Sequence, residues 1–157
     1  MTHPVRWGIL STALIGTEKV IPAMRKSGAL GVAAIASRDL SAAQAAAAKF
    51  GIATAYGTYE ALLADPTIEA IYNPLPNHLH VTLTLAAARA GKHVLCEKPM
   101  ALTAADLEVL RPYGVIEMVR TGRVEMARGT AQAVTVGPSR GIGDGPTRSK
   151  DGGALSV

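Results

Sequence analysis

The sequence predicts an α/β fold of the Rossmann type, a doubly wound parallel sheet covered by helices. Short apolar runs alternate with helical stretches from Val5 to Leu110, and Gly or Pro signals separate them. Small residues also fill the first strand-to-helix turn. Alternation at this spacing favours βαβ units with right-handed crossovers. Hydrophobic residues make up 48% of the chain and charged residues 18%, which is enough for one buried core.

The first two βα units account for residues 5–51. Val5–Leu10 is typical of a short buried strand, and 15–27 of a helix that ends at Ser27-Gly28. A second strand is expected at 31–37. An Ala-rich helix follows it, with Asp39 or Ser41 as its N-cap and Phe50-Gly51 as its end.

The same alternation continues to residue 110. The expected elements are a short helix at 59–64, a strand at 68–73, a helix at 78–90, a strand at 92–96 and a helix that Thr103 caps. Ligands of such sheets bind beyond the carboxyl ends of the strands. We therefore expect the loops at 11–16, 37–39, 73–78 and 96–99 to lie along one rim.

Composition excludes several classes of protein. Cys96 is the single cysteine and the four histidines are scattered, so we expect no disulfide framework, no metal site and a cytoplasmic location. No apolar run reaches the roughly 20 residues that a membrane span needs. Residues 1–110 carry nine Lys/Arg against eight Asp/Glu, which does not indicate a nucleic-acid surface.

The first turn indicates a dinucleotide site. Aligned with G-x-G-x-x-G, it places Ser11, Ala13 and Gly16 at the glycine positions, although Ala has less φ freedom than Gly. Small residues here let a diphosphate approach the free N–H groups of a helix N-terminus. The predicted contacts are Ser11, Thr12, Ala13, Leu14 and Ile15. A plain strand-turn-helix without a ligand is the alternative.

The end of the second strand favours NADP(H) over NAD(H). Ser37 and Arg38 stand where an acidic residue would bind an NAD ribose. A guanidinium can pair with a 2′-phosphate, and a hydroxyl can add a donor. Alternatively, Arg38 is only a solvated residue near a helix start, and Asp39 could still reach a ribose.

Two further loops provide candidate residues on the other half of the rim. Lys98 follows a strand near the middle of the sheet and could donate a proton to a developing alkoxide, with Glu97 holding its ammonium group. A surface Glu-Lys pair is the alternative. We expect Cys96 to be a buried strand residue rather than a nucleophile. The other predicted cofactor contacts are Asn73, Pro74, Asn77 and His78, with N-capping as the alternative role of Asn77.

The stretches 6–13, 36–38, 73–78 and 97–99 together resemble the N-terminal domain of the Gfo/Idh/MocA oxidoreductases, especially members related to glucose-fructose oxidoreductase and dimeric dihydrodiol dehydrogenase. The resemblance implies NAD(P)-dependent oxidation or reduction of a sugar, cyclitol, diol or related small-molecule substrate. It places Lys98 at the position of the family's catalytic lysine. It also implies a larger C-terminal domain that supplies a catalytic His or Tyr and a dimer interface, so a homo-oligomer is compatible with it.

Residues 111–157 do not continue that pattern. Nine of these 47 residues are Gly and no histidine follows His93, so we expect an irregular tail from a truncated, deleted or frame-shifted product. Only 115–119 and 131–136 resemble short strands. We therefore expect a cofactor-binding domain at 1–110 with little turnover. The alternatives are a non-enzymatic nucleotide-binding module or subunit, and a methyltransferase that uses S-adenosylmethionine.

Overall fold

The computed structural model describes residues 3–114, which form a parallel five-stranded sheet. Its strands are β1 (Val5–Leu10), β2 (Leu30–Ala36), β3 (Thr54–Tyr56), β4 (Ala70–Asn73) and β5 (His93–Cys96). They are ordered β3-β2-β1-β4-β5. The chain therefore winds outward in both directions from β1, and a crevice opens between the β1 and β4 loops. The predicted Rossmann fold is confirmed.

Helices connect these strands. A π-helical turn, Gly16–Val20, runs directly into α1 (Ile21–Arg25). The others are α2 (Leu40–Phe50), α3 (Tyr59–Ala64), α4 (Asn77–Arg89), α5 (Ala104–Glu108) and a final 3₁₀ turn at Arg111–Tyr113. Asp39 rather than Ser41 caps α2, and Gly51 ends it with a left-handed φ of 58°, which glycine adopts at little cost. Thr103 caps α5 as predicted.

The first helix differs from its prediction. It was expected to run regularly over 15–27, but it is helical from Leu14 to Arg25, with the π-helical turn at Gly16–Val20 inside it. The N–H of Ile21 reaches back five residues to the carbonyl of Gly16. Pro22 explains the change, since its ring has no N–H and would clash with a carbonyl in a regular α-helix.

Three strands also differ from their predictions. β5, which leads to Lys98, lies at the edge of the described sheet rather than near its middle, because the chain winds outward from β1 through β4 to β5. β3 was missed because three half-buried residues are too few to show an alternation. β4 begins at Ala70 rather than at residue 68. Leu110 is buried and Arg111–Tyr113 are ordered in the 3₁₀ turn. The rest of the expected irregular tail, from residue 115 onward, lies outside the described residues, as do the short strands expected at 115–119 and 131–136.

Apolar residues on both faces of the sheet form the core. Ile9, Ile35 and Tyr72 pack against α1 and α2. On the opposite face, Leu10 and Ile71 pack against α3 and α4. Alternate residues of a strand point to opposite faces of the sheet. Each buried central strand therefore contributes apolar side chains to the core on both faces. Within residues 3–114, no helix has the length and apolar character that crossing a bilayer requires.

Candidate functional site

The four loops predicted to share a rim do so. They follow β1, β2, β4 and β5, and all these strands are parallel. A cleft of about 310 Å³ lies where the β1, β4 and β5 loops meet. Its lining residues are Ile15, Pro74, Leu75, Asn77, His80, Glu97 and Lys98. A second depression lies at the opposite edge, beside His3 and Arg6 near the start of the strands.

Ser11 holds the turn after β1 in a conformation that favours glycine. Its φ is 96°, and such a backbone costs a non-glycine residue about 1–3 kcal/mol. The N–H of Ser11 donates to the carbonyl of Ala36 at 2.8 Å, and its Oγ accepts the N–H of Ala13 at 2.9 Å. In this turn, the residue with the positive φ is therefore Ser11, not Ala13.

Free backbone donors follow this turn. The first helical hydrogen bond joins the N–H of Thr17 to the carbonyl of Ala13 at 3.0 Å. The N–H groups of Leu14, Ile15 and Gly16 have no acceptor among residues 3–114. Together with the dipole of the helix, such donors form a site for an anion.

Gly16 lets this turn sit directly on β4. A Cβ built there would lie 3.5 Å from Cε1 of Tyr72 and 3.6 Å from Cγ of Pro74. Both are ordinary van der Waals distances, so alanine would fit at this position, and only a larger side chain would push the helix away from the strand.

The loop after β2 presents a guanidinium to solvent. Arg38 is exposed, and its side chain has no hydrogen bond or ion pair with any residue of 3–114. Ser37 Oγ accepts the N–H of Asp39 at 3.2 Å. Asp39 uses Oδ1 to accept the N–H of Ser41 at 2.9 Å and of Ala42 at 3.3 Å. The hydroxyl of Ser41, which also donates to Asp39, is the main reason that the pKa of this carboxyl is lowered.

The loop after β4 holds its predicted residues in different environments. The Asn73 side chain is fully buried, donating to the carbonyl of His80 at 3.2 Å and accepting the N–H of Leu75 at 3.3 Å. It therefore shapes the loop from beneath. Asn77 and Pro74 line the cleft, whereas His78 is exposed and does not.

The predicted capping role of Asn77 is wrong. α4 begins at Asn77 itself, and Pro76 occupies the N-cap position without a side-chain hydrogen bond. The Asn77 side chain is thus not committed to the helix end. Pro76 has a fixed φ suited to an extended residue that precedes a helix.

Glu97 does not hold the Lys98 ammonium, contrary to the prediction. Its Oε1 accepts the hydroxyl of Tyr72 at 2.6 Å, and its N–H donates to the carbonyl of Asn73 at 3.0 Å. Within the described part of the chain, Lys98 forms no ion pair. Lys98 is exposed and lines the cleft, so its charge is directed at whatever the cleft receives.

Tyr72 and His80 are two buried polar residues that the sequence analysis did not assign to the site. Burial, and then the Glu97 carboxylate, raise the pKa of the Tyr72 phenol. The His80 ring contacts the carbonyl of Leu75 through Nε2 at 2.6 Å and that of Pro99 through Nδ1 at 2.7 Å. Tyr72 could have been suspected, because a buried tyrosine hydroxyl normally finds a partner. No local signal identifies that partner.

Cys96 lies in β5 and is half-buried, so it is less enclosed than predicted. Burial raises the pKa of its thiol to about 11, so we expect slow labelling by a thiol reagent at pH 8. An exposed cysteine, with a pKa of about 8.5, should react roughly 100-fold faster because the thiolate is the nucleophile. The native rate should rise about tenfold per pH unit up to this pKa, and urea should abolish the protection. Rapid labelling of the native chain at pH 8 would contradict this assignment.

A family model described as "Oxidoreductase family, NAD-binding Rossmann fold" matches residues 5–111. A second model, for the small subunit of acetolactate synthase, matches residues 101–129. Residues 115–129 of that shorter match lie outside the described residues.

Three known proteins illustrate the likeness. The NADP⁺ D-xylose 1-dehydrogenase 2 of Haloferax volcanii is 52% identical over 68% of this chain and 33% of its own. The trans-1,2-dihydrobenzene-1,2-diol dehydrogenase of Mus musculus is 41% identical over 73% of this chain and 36% of its own. The 3-ketoreductase KijD10 of Actinomadura kijaniata, solved with TDP-benzene and NADP, is 36% identical with a TM-score of 0.68, covering 70% of this chain and 34% of its own. This chain thus spans about a third of the length of these relatives.

Proposed function

Because this chain belongs to the Gfo/Idh/MocA oxidoreductase family, with an NAD-binding Rossmann fold, we propose that residues 1–110 bind a nicotinamide dinucleotide across the rim and prefer NADP(H) to NAD(H). The observation that carries the proposal is the set of free N–H groups at Leu14, Ile15 and Gly16 after β1. In the strand order, the loop of Arg38 after β2 lies on one side of β1, and the cleft loops after β4 and β5 lie on the other. A dinucleotide needs an anion site between two nucleoside sites, in that order along the sheet.

The proposed diphosphate contacts lie in the turn after β1. The three free N–H groups would donate to phosphate oxygens, and Thr12 and Ala13 would flank them. Ser11 would hold the turn open through its positive φ and its hydrogen bond to Ala13. Backbone donors at a helix N-terminus suit a dianion without needing a basic side chain.

The proposed adenosine end lies at the loop after β2. Arg38 is exposed and unpaired among residues 3–114, so its guanidinium is available to a 2′-phosphate. Asp39 holds its Oδ1 on the cap of α2, which fixes the direction of this carboxylate and weakens the alternative that it binds an NAD ribose. The hydroxyl of Ser37 would supply a second polar contact.

The proposed nicotinamide end is the cleft lined by Pro74, Asn77, Glu97 and Lys98. When bound, the cofactor would supply or accept a hydride. Lys98 is the proposed catalytic residue: its ammonium would donate a proton to the substrate oxygen when a carbonyl is reduced, and take it back in the reverse direction. His78, exposed beside the cleft, is proposed as an outer contact of the cofactor.

The proposed substrate of the whole protein is a sugar, polyol or diol that carries a secondary alcohol or the matching ketone. This rests on what the relatives are named for, a xylose dehydrogenase and a dihydrodiol dehydrogenase. Asn77 and Lys98 are the polar residues of the cleft that are exposed enough to meet a substrate. Substrate selection would depend on residues beyond these two.

A fluorescence titration of the intact chain with NADPH tests the proposal. We expect saturable binding with a Kd in the micromolar range, roughly −7 to −8 kcal/mol, and weaker binding of NADH. Free adenosine should compete poorly, because it lacks the diphosphate and the 2′-phosphate of NADPH. A folded chain that gives no signal with either reduced cofactor at millimolar concentration would refute the proposal.

A further inference from the structure

We infer that Tyr72 is a positioning residue that fixes the Glu97 carboxylate in the cleft, so that the site binds the oxidised, cationic nicotinamide more tightly than the reduced ring. The inference rests on the proposed function, because it assumes that the nicotinamide enters this cleft. It assigns a use to a partly buried hydrogen bond that neither the motif nor Lys98 requires.

Tyr72 is rigidly held beneath the site. It lies in β4 between its partners Ile9 in β1 and Leu95 in β5, and only 1% of its surface is exposed. Its ring lies next to Gly16, since a Cβ added to that glycine would be 3.5 Å from Cε1 of Tyr72. The phenol therefore has one direction available to its hydroxyl, and that direction leads to Glu97.

The bond between Tyr72 and Glu97 is that of a phenol with a charged acceptor. The 2.6 Å distance between Oη and Oε1 falls in the range of O–H···O⁻ bonds. The raised pKa of the phenol keeps its proton in place, so Tyr72 remains the donor. Glu97 is also fixed through its own N–H, which donates to the carbonyl of Asn73 at 3.0 Å.

This arrangement keeps two opposite charges apart. Glu97 and Lys98 are adjacent in sequence and both line the cleft, yet they do not pair. Without the hydrogen bond from Tyr72, the Glu97 carboxylate could turn toward the Lys98 ammonium. The two charges would then partly neutralise each other. The hydrogen bond therefore preserves a localised negative charge in the cleft wall.

A fixed carboxylate distinguishes the two redox states of the cofactor. The oxidised nicotinamide ring carries a positive charge and the reduced ring carries none. A carboxylate near the ring attracts the first and leaves the second nearly unaffected, with a strength that depends on the polarity of the cleft. The ratio of the dissociation constants for NADP⁺ and NADPH is therefore the quantity that reports on Glu97.

The test compares this ratio among variants of the intact 157-residue chain by calorimetric titration. Tyr72→Phe removes only the hydroxyl, and Glu97→Gln removes only the charge. We expect the ratio Kd(NADP⁺)/Kd(NADPH) to rise roughly tenfold in Glu97→Gln and about three- to tenfold in Tyr72→Phe. In the double variant the two effects should not add, because they act through one carboxylate.

Tyr56→Phe is the matched control. Its hydroxyl also donates to a carboxylate, Asp65 Oδ2 at 2.9 Å, but it lies in β3 at the far edge of the sheet. This variant should leave the ratio unchanged. A merely structural role of Tyr72 would weaken both redox forms equally and leave the ratio unmoved as well, which would overturn the inference.

The fragment 2′-phospho-ADP-ribose separates the two possible failures. It lacks the nicotinamide ring, so its affinity should be the same in all these variants. If it binds and the ratio does not change in Tyr72→Phe or Glu97→Gln, the inference is wrong and the proposed function stands. If the fragment and both cofactors fail to bind the folded chain, the proposed function and the inference are both overturned.

Discussion

Replacing Ala13 with aspartate is expected to abolish NADPH binding while making the fold more stable. Ala13 precedes the first helical residue, and its carbonyl accepts the first helical hydrogen bond, from Thr17. An aspartate there would cap the free N–H groups of Ile15 and Gly16, which raises the free energy of unfolding by about 1 kcal/mol. The same carboxylate would occupy the diphosphate donors and repel the ligand. We expect the affinity for NADPH to fall more than about 100-fold.

Ala13→Asn separates charge from capping. Asparagine caps a helix about as well as aspartate but carries no charge, so it should stabilise the fold similarly and weaken NADPH binding less. Thermal unfolding and NADPH titration of the two variants check both halves of the prediction. An Ala13→Asp variant that folds normally and keeps its affinity would show that the diphosphate does not lie on this turn.

Replacing Arg38 with alanine is expected to remove the preference for NADPH over NADH. The guanidinium is exposed and unpaired among the described residues, so its loss breaks no hydrogen bond or ion pair with them. Hydrogen bonds to charged groups are worth about 1.5–3 kcal/mol, which corresponds to roughly a 10- to 100-fold loss of NADPH affinity. The affinity for NADH, which has no 2′-phosphate, should change little.

Lys26→Ala is the control for the general effect of one positive charge. Lys26 follows α1 at the end away from the rim, so this variant should keep the preference. The preference should also decrease with salt in the unmodified chain, because exposed ion pairs are screened. Equal affinities for NADPH and NADH before any substitution would contradict the assignment of Arg38.

Most of the fold could be predicted because its signals are local. The apolar runs, the cap at Asp39 and the glycine after Phe50 each act within a few residues. The π-helical turn could also have been expected, since Pro22 stands in the middle of the predicted helix. β3 could not, because its three residues become a strand only through pairing with β2.

The candidate site was predictable only in its outline. The rim follows from the parallel topology, and the small residues of the first turn follow from the motif. The partners of the buried polar groups do not, because Tyr72 and Glu97 are 25 residues apart in sequence. The partners of Asn73 could not be predicted either. This residue was predicted to contact the cofactor, but its side chain is buried beneath the loop after β4.

The backbone amide resonances of Leu14, Ile15 and Gly16 test the central claim most directly. Recorded by ¹H–¹⁵N NMR on the intact chain during an NADPH titration, they report whether phosphate oxygens reach the free donors of the first turn. We expect the largest shifts at these three amides, with smaller ones at Arg38 and Glu97. NADPH that binds while these three resonances stay unchanged would contradict the account.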